Sequence, residues 1–189
     1  MIKLENVSKS YGKNKVLDNL CLEIKDGERV FVSGASGVGK TTLVRILSGL
    51  ESCTGTVLAD KKVALMFQES RLFEHLSALE NVLCVCEKIT ENEKNKATEL
   101  LTKLGLSSDI NTPAKELSGG MAQRVALART LMSERDILIL DEPFSALDPA
   151  TKRLAADLIL DYCQNARTLI LISHIEGDKE LLCQREIKL

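Results

Sequence analysis

Gly34-Ala35-Ser36-Gly37-Val38-Gly39-Lys40-Thr41 decides the fold. It fits the pattern G-x-x-x-x-G-K-[ST], in which glycines let successive backbone N–H groups turn towards one phosphate chain. Upstream, Val30-Phe31-Val32 is a continuous apolar run, as expected of a strand covered on both faces. Downstream, the spacing predicts a helix from about Lys40 to Ser48, stopped at Gly49. Its positive end faces the same place as the loop. Lys40 is expected to reach the β- and γ-phosphates, the Thr41 hydroxyl to ligate Mg²⁺, and Thr42 to complete the cradle.

A second polar element ends an apolar run far along the chain. Asp141-Glu142 follows Ile137-Leu138-Ile139-Leu140, the arrangement of a Walker B element beside the Walker A loop. A carboxylate at the end of a buried strand can hold Mg²⁺, directly or through water, which assigns Asp141 to the metal. Glu142 is placed to polarise the attacking water as a general base.

Around these two elements the pattern is α/β. Ile2, Leu4 and Val7, then Leu20, Leu22 and Ile24, read as half-buried strands, followed by Thr56–Leu58 and Val63–Phe67. Capping boxes at Ser77 and Thr90 open two helices, the first expected to reach about Lys88 and the second to end at Gly105. Ser118 caps a helix with apolar residues at Met121, Val125, Ala128 and Met132. Asp148-Pro149 starts another, to about Cys163, and Thr168–Ile172 is a buried strand. A short helix and an edge strand from Glu186 to Leu189 complete the tail. The expected organisation is one domain over 1–189, with a core of 1–68 and 133–189 and a helical insertion of about 69–132.

Composition bounds the alternatives. The 189 residues carry 25 basic and 27 acidic side chains, a net charge of −2, which argues against binding nucleic acid by a basic face. Apolar residues make up 44%, enough for a core, and no run is long enough to span a membrane. The N-terminus lacks the apolar segment of a signal peptide, so a cytosolic protein is expected. The six cysteines fit no zinc spacing and are read as reduced, mostly buried thiols.

Leu117-Ser118-Gly119-Gly120-Met121-Ala122-Gln123-Arg124, about two dozen residues before Asp141, resembles the LSGGQ signature of ABC-type ATPases. Ser118, Gly119 and Gly120 at a helix N-terminus form a second anion cradle. The rest of the chain agrees with this resemblance. Gln68 looks like the Q-loop glutamine, which in the family senses Mg²⁺ and the γ-phosphate side. Ser145-Ala146-Leu147-Asp148 looks like the D-loop, His174 like the switch histidine on the γ-phosphate, and Tyr11 like the aromatic residue stacked on adenine.

The resemblance implies a P-loop NTPase (RecA-like) core with an N-terminal antiparallel β-subdomain and an inserted helical signature subdomain. It implies the ATP-hydrolysing subunit of an ABC transporter, similar to small-molecule importer subunits, using ATP and Mg²⁺. The subunits would pair head to tail as a homodimer or heterodimer, and Glu142, His174, Gln68 and Lys40 would carry the chemistry. A separate membrane permease is the implied partner, docking near Arg71, Leu72, Phe73 and His75, so the chain would lie on the cytoplasmic face of the cell membrane. The alternative is a soluble ABC-type ATPase acting on DNA or ribosomes. Three departures stand out: Met121 replaces the signature glutamine, the segment from Thr54 to Gln68 is short, and the sequence ends 15 residues after His174, so control through a C-terminal regulatory domain is not expected.

Overall fold

The structure, a computed structural model, describes residues 1–59, 61–164 and 166–189. The chain gathers into two compact units, Met1–Leu65 with Arg135–Asp141 and Cys163–Leu189, and Met66–Glu134 with Glu142–Tyr162.

The first unit carries two sheets. Strands β1 (Ile2–Tyr11), β2 (Asn14–Ile24) and β4 (Thr54–Ala59) form an antiparallel sheet in the order β2-β1-β4. Strands β3 (Arg29–Ser33), β5 (Val63–Met66), β6 (Ile137–Asp141), β7 (Thr168–Ile172) and β8 (Arg185–Lys188) form the second sheet, ordered β5-β6-β7-β3-β8. The pairs β6/β7, β7/β3 and β3/β8 are parallel. Every residue of β6 and β7 is buried, which is why both segments read as unbroken apolar runs rather than alternating ones.

Helix α1 (Lys40–Leu47) buries Leu43, Val44, Ile46 and Leu47 in the same core as Ile2, Leu4, Val7, Ile139 and Ile170. Truncating a fully buried member such as Ile139 to alanine costs about 2–5 kcal/mol, enough to threaten a single core of this size. Helix α6 (Glu176–Leu182) precedes β8 at the sheet edge.

The second unit is helical: α2 (Ala78–Leu83), α3 (Glu91–Lys103), α4 (Gly119–Met132) and α5 (Pro149–Cys163), with a 3₁₀ turn at Ala114–Glu116. Both capping boxes form. Ser77 N–H donates to Glu80 Oε2 (2.8 Å) while Glu80 N–H donates to Ser77 Oγ (3.2 Å). Thr90 N–H donates to Glu93 Oε2 (3.2 Å).

Helix α2 ends at Leu83, short of the expected Lys88. Beyond Leu83 only Val85 and Cys86 are half-buried, Cys84, Glu87, Lys88 and Ile89 are exposed, and helix propensity alone does not sustain another turn. The cysteines are free, as expected, but only Cys163 is buried, and Cys21 and Cys84 are exposed. Burial pushes the Cys163 thiol up to about 11 and Cys183 to about 12, so these two stay protonated and inert at neutral pH.

Candidate functional site

The parallel register assembles the first unit's part of the site. Asp141 pairs with Ile172, and Ile172 with Val32, so the ends of three neighbouring strands lie on one row. From β3 the chain runs into Gly34–Thr41, from β7 into Ser173-His174, and β6 finishes at Asp141. The C-terminal edge of a parallel sheet is where such folds place their ligands.

The loop itself is a backbone device. Gly34 (φ 153°), Gly37 (φ 78°) and Gly39 (φ 114°) adopt dihedrals that side chains disfavour. A Cβ on Gly39 would also stand 2.9 Å from Leu17 Cδ2 and 3.1 Å from the Val16 carbonyl. Gly39 offers no side-chain cap, so the first N–H groups of α1 are left to whatever binds there. The Lys40 ammonium donates to the carbonyls of Gly34 (2.7 Å) and Ala35 (3.0 Å), bridging the mouth of the loop. Ala35, Ser36 and Thr41 are exposed, Val38 is partly so, and Thr42 is buried beneath them.

Asp141 is only 7% exposed. Burial pushes its carboxyl above the ordinary value, and the charges of Lys40 and His174 oppose that rise. Those three groups therefore share one electrostatic environment. His174 is exposed, and the chain on either side of it is fastened. Ser173 Oγ donates to the buried Asp178 Oδ2 (2.5 Å) and accepts from Ile175 N–H (3.1 Å).

Tyr11 is the last residue of β1, paired with Asn14 across a tight hairpin. Its ring is 45% exposed, with the Lys9 ammonium 5.3 Å from its centroid. That cation holds the ring in place and leaves it accessible.

The second unit carries the remaining residues. Gln68 is exposed just after β5. Glu142 is 7% exposed and has a left-handed backbone (φ 51°) immediately before Pro143, a conformation that costs about 1–3 kcal/mol for a residue with a side chain. Ser118 caps α4, accepting from Met121 N–H at 3.3 Å. Gly119 and Gly120 are the first two residues of the helix. A Cβ on Gly119 would meet nothing within 4 Å, whereas one on Gly120 would sit 2.7 Å from the Ala146 carbonyl. Gly119 is thus open to an incoming group, and Gly120 lets α4 approach the Ser145–Asp148 segment. Asp148 caps α5, its carboxylate accepting from Ala150 N–H (3.0 Å) and Thr151 N–H (3.1 Å).

The 69–75 segment has a fixed backbone and an exposed ring. Asn81, fully buried, accepts from Phe73 N–H (2.8 Å) and donates to the carbonyls of Phe73, Leu76 and Ser77. Arg129 donates to the carbonyls of Ser70 (2.8 Å) and Arg71 (2.9 Å). Phe73 nevertheless remains 51% exposed, with His75 edge-on at 6.4 Å and Arg71 stacked on Phe67 at 4.0 Å.

Buried or half-buried polar residues that escaped the sequence reading include Asn81, Gln123 and Arg129. Gln123 lies off the apolar stripe traced along α4. The available signal was that α4 is apolar nearly all round from Val125 to Met132, and a polar side chain in such a helix needs a partner.

Comparison with known proteins matches residues 17–145 to the family described as ABC transporter. The glutamate/aspartate import ATP-binding protein GltL of Escherichia coli (strain K12) is 37% identical over 99% of this chain and 86% of its own length. The aliphatic sulfonates import ATP-binding protein SsuB 1 of Pseudomonas syringae pv. tomato is 41% identical over 100% of this chain and 70% of its own. A dimeric post-hydrolysis ATP-binding cassette bound to ADP and Pi superposes with a TM-score of 0.92 at 31% identity, covering 100% of this chain and 94% of that one. With its phosphate loop, capped glycine pair and buried strand-end carboxylate in that order along the same fold, the chain belongs to the ABC transporter family, as an ATP-binding and ATP-hydrolysing subunit.

Proposed function

We propose that this subunit hydrolyses ATP between two copies, or between this chain and a relative, and drives import through a separate membrane permease. The observation that carries it is the row of strand ends that brings Lys40, Asp141 and His174 into one environment behind a phosphate loop. Catalysis there is positioning and charge stabilisation.

Lys40 would exchange its loop carbonyls for the β- and γ-phosphates, the backbone of Gly34–Thr42 would hold the phosphate chain, and Tyr11 would stack on adenine. Glu142 would accept a proton from the attacking water, while His174 and Gln68 would flank the γ-phosphate. The Thr41 hydroxyl and the Asp141 carboxylate are hard oxygen donors that fit Mg²⁺, with Gln68 as a further oxygen. Bound Mg²⁺ neutralises charge on the phosphates. Ser118, Gly119 and Gly120 would close over the nucleotide of the partner copy. The open space at Gly119 supports that reading.

The permease would dock on the 69–75 segment, with Leu72 and Phe73 as apolar anchors and Arg71 and His75 beside them. An exposed aromatic ring on a backbone pinned by Asn81 and Arg129 supports docking over packing. The permease would supply the pathway across the membrane, with this chain against its cytoplasmic face; among the described residues no helix is long and apolar enough to cross a membrane. The relatives' names divide between amino acid and sulfonate import, which favours import without naming the cargo. They also favour transport over work on DNA or ribosomes.

Glu142→Gln tests the chemistry. It should bind ATP, turn over about 10²–10⁴-fold more slowly and accumulate as a dimer; an unchanged rate would sink the assignment. Phe73→Asp should keep ATP-dependent dimerisation and lose transport, and loss of ATP binding would show a packing role instead.

A further inference from the structure

Gln123 sits on the second turn of α4, 3% exposed, and spends its amide on one short segment. Its Nε2 donates to the Glu142 carbonyl (2.7 Å) and to Ser145 Oγ (2.9 Å), and its Oε1 accepts from Ala146 N–H (2.9 Å). The orientation of the amide is fixed by its partners, because Ala146 N–H can only donate and the Glu142 carbonyl can only accept. Ser145 Oγ also donates to the Glu142 carbonyl (3.1 Å). The peptide leaving Glu142 is therefore held from two sides, at the residue whose backbone is left-handed (φ 51°). The φ and ψ of Glu142 set where its carboxylate points, so whatever holds this peptide aims the base.

We infer that Gln123 is a positioning residue for hydrolysis: from the start of the signature helix it locks the Glu142 peptide and the Ser145-Ala146 turn into the one geometry that presents the Glu142 carboxylate to water. The same three bonds tie the Ser118–Gly120 cradle, one turn away on α4, to the catalytic glutamate. A partner's nucleotide settling on that cradle is thereby registered at Glu142 without a moving part between them. This rests on the reading of Glu142 as the base.

The test is a double-mutant cycle read by single-turnover phosphate release, with nucleotide affinity measured on the same proteins. Gln123→Met, similar in size and without the amide, should slow release by about 10- to 100-fold, the range expected when a reacting group is displaced by about an ångström. ATP affinity of the separate subunit should stay within about twofold, because the amide of Gln123 bonds to Glu142, Ser145 and Ala146. In a Glu142→Gln background the same change should add less than about twofold, since two substitutions acting through one group are not additive. Gln123→Glu keeps an oxygen for Ala146 N–H but loses the amide donor, and should show the same slow release if the Met variant fails to fold. Full turnover in either variant, or an equal loss in the Glu142→Gln background, would overturn the inference. Glu142→Gln alone retaining full turnover would instead overturn the reading of the base.

Discussion

Two helices in this molecule begin with glycine-rich sequence, and they use glycine for opposite reasons. At α1, Gly34, Gly37 and Gly39 have positive φ, the N-cap has no side chain, and Lys40 bridges the loop carbonyls. At α4, Ser118 is an ordinary side-chain cap, and Gly119 and Gly120 are helical residues valued for the atom they lack. On the proposed reading the first start would build an anion site from its own backbone. The second leaves open space at Gly119 and, at Gly120, room for its own Ala146 carbonyl. One residue type at two helix starts thus signals a dihedral requirement in one and a clearance requirement in the other.

Alanine substitution separates the two roles. The largest effect is expected at Gly39→Ala, where strain of about 1–3 kcal/mol adds to a clash with Val16 and Leu17. Isothermal titration should show ATP affinity falling roughly 100-fold, and thermal unfolding should shift down. Gly120→Ala meets only the Ala146 carbonyl at 2.7 Å. It should leave ATP affinity intact and slow steady-state hydrolysis roughly tenfold, about 1.4 kcal/mol of barrier. Equal loss of ATP affinity in both variants would erase the distinction.

Smaller effects come from the caps. Ser118→Ala removes the bond to Met121 N–H and should cost about 1 kcal/mol in denaturant unfolding, a loss with no counterpart at uncapped Gly39. Asp148 caps α5. Its hydrogen bonds from the Thr151 hydroxyl and from the N–H groups of Thr151 and Ala150 hold its carboxyl below the ordinary 3.8. A depressed native value means the cap's contribution is present above 3.8 and is lost as pH falls through the lower native value. Asp148→Asn should flatten that part of the acid unfolding curve and change little at pH 7.

The sequence made the strand-loop-helix of the phosphate site legible because each link is local: an apolar run, a glycine pattern, a helix start. The two capping boxes were legible for the same reason. What stayed hidden depends on contacts distant in the chain. The end of α2 at Leu83 reflects which face finds something to cover, and Cys84 lies exposed for the same reason. Tyr11 is a strand end because β1 and β2 pair as far as Asn14. The bonds of Gln123 to Glu142 and Ala146 span about twenty residues, and those of Arg129 to Ser70 and Arg71 nearly sixty, so no local pattern announces them.

The central claim, that the α1 start binds ATP within its own chain and the α4 start completes a partner's site, has a direct measurement. Sedimentation of Glu142→Gln with and without ATP is compared with the same protein carrying Gly119→Asp, which puts a charge into open space. The account predicts an ATP-dependent dimer for Glu142→Gln, and an ATP-bound monomer once Gly119→Asp is added. An equally tight dimer with Asp at 119, or loss of ATP binding from that change alone, would contradict it.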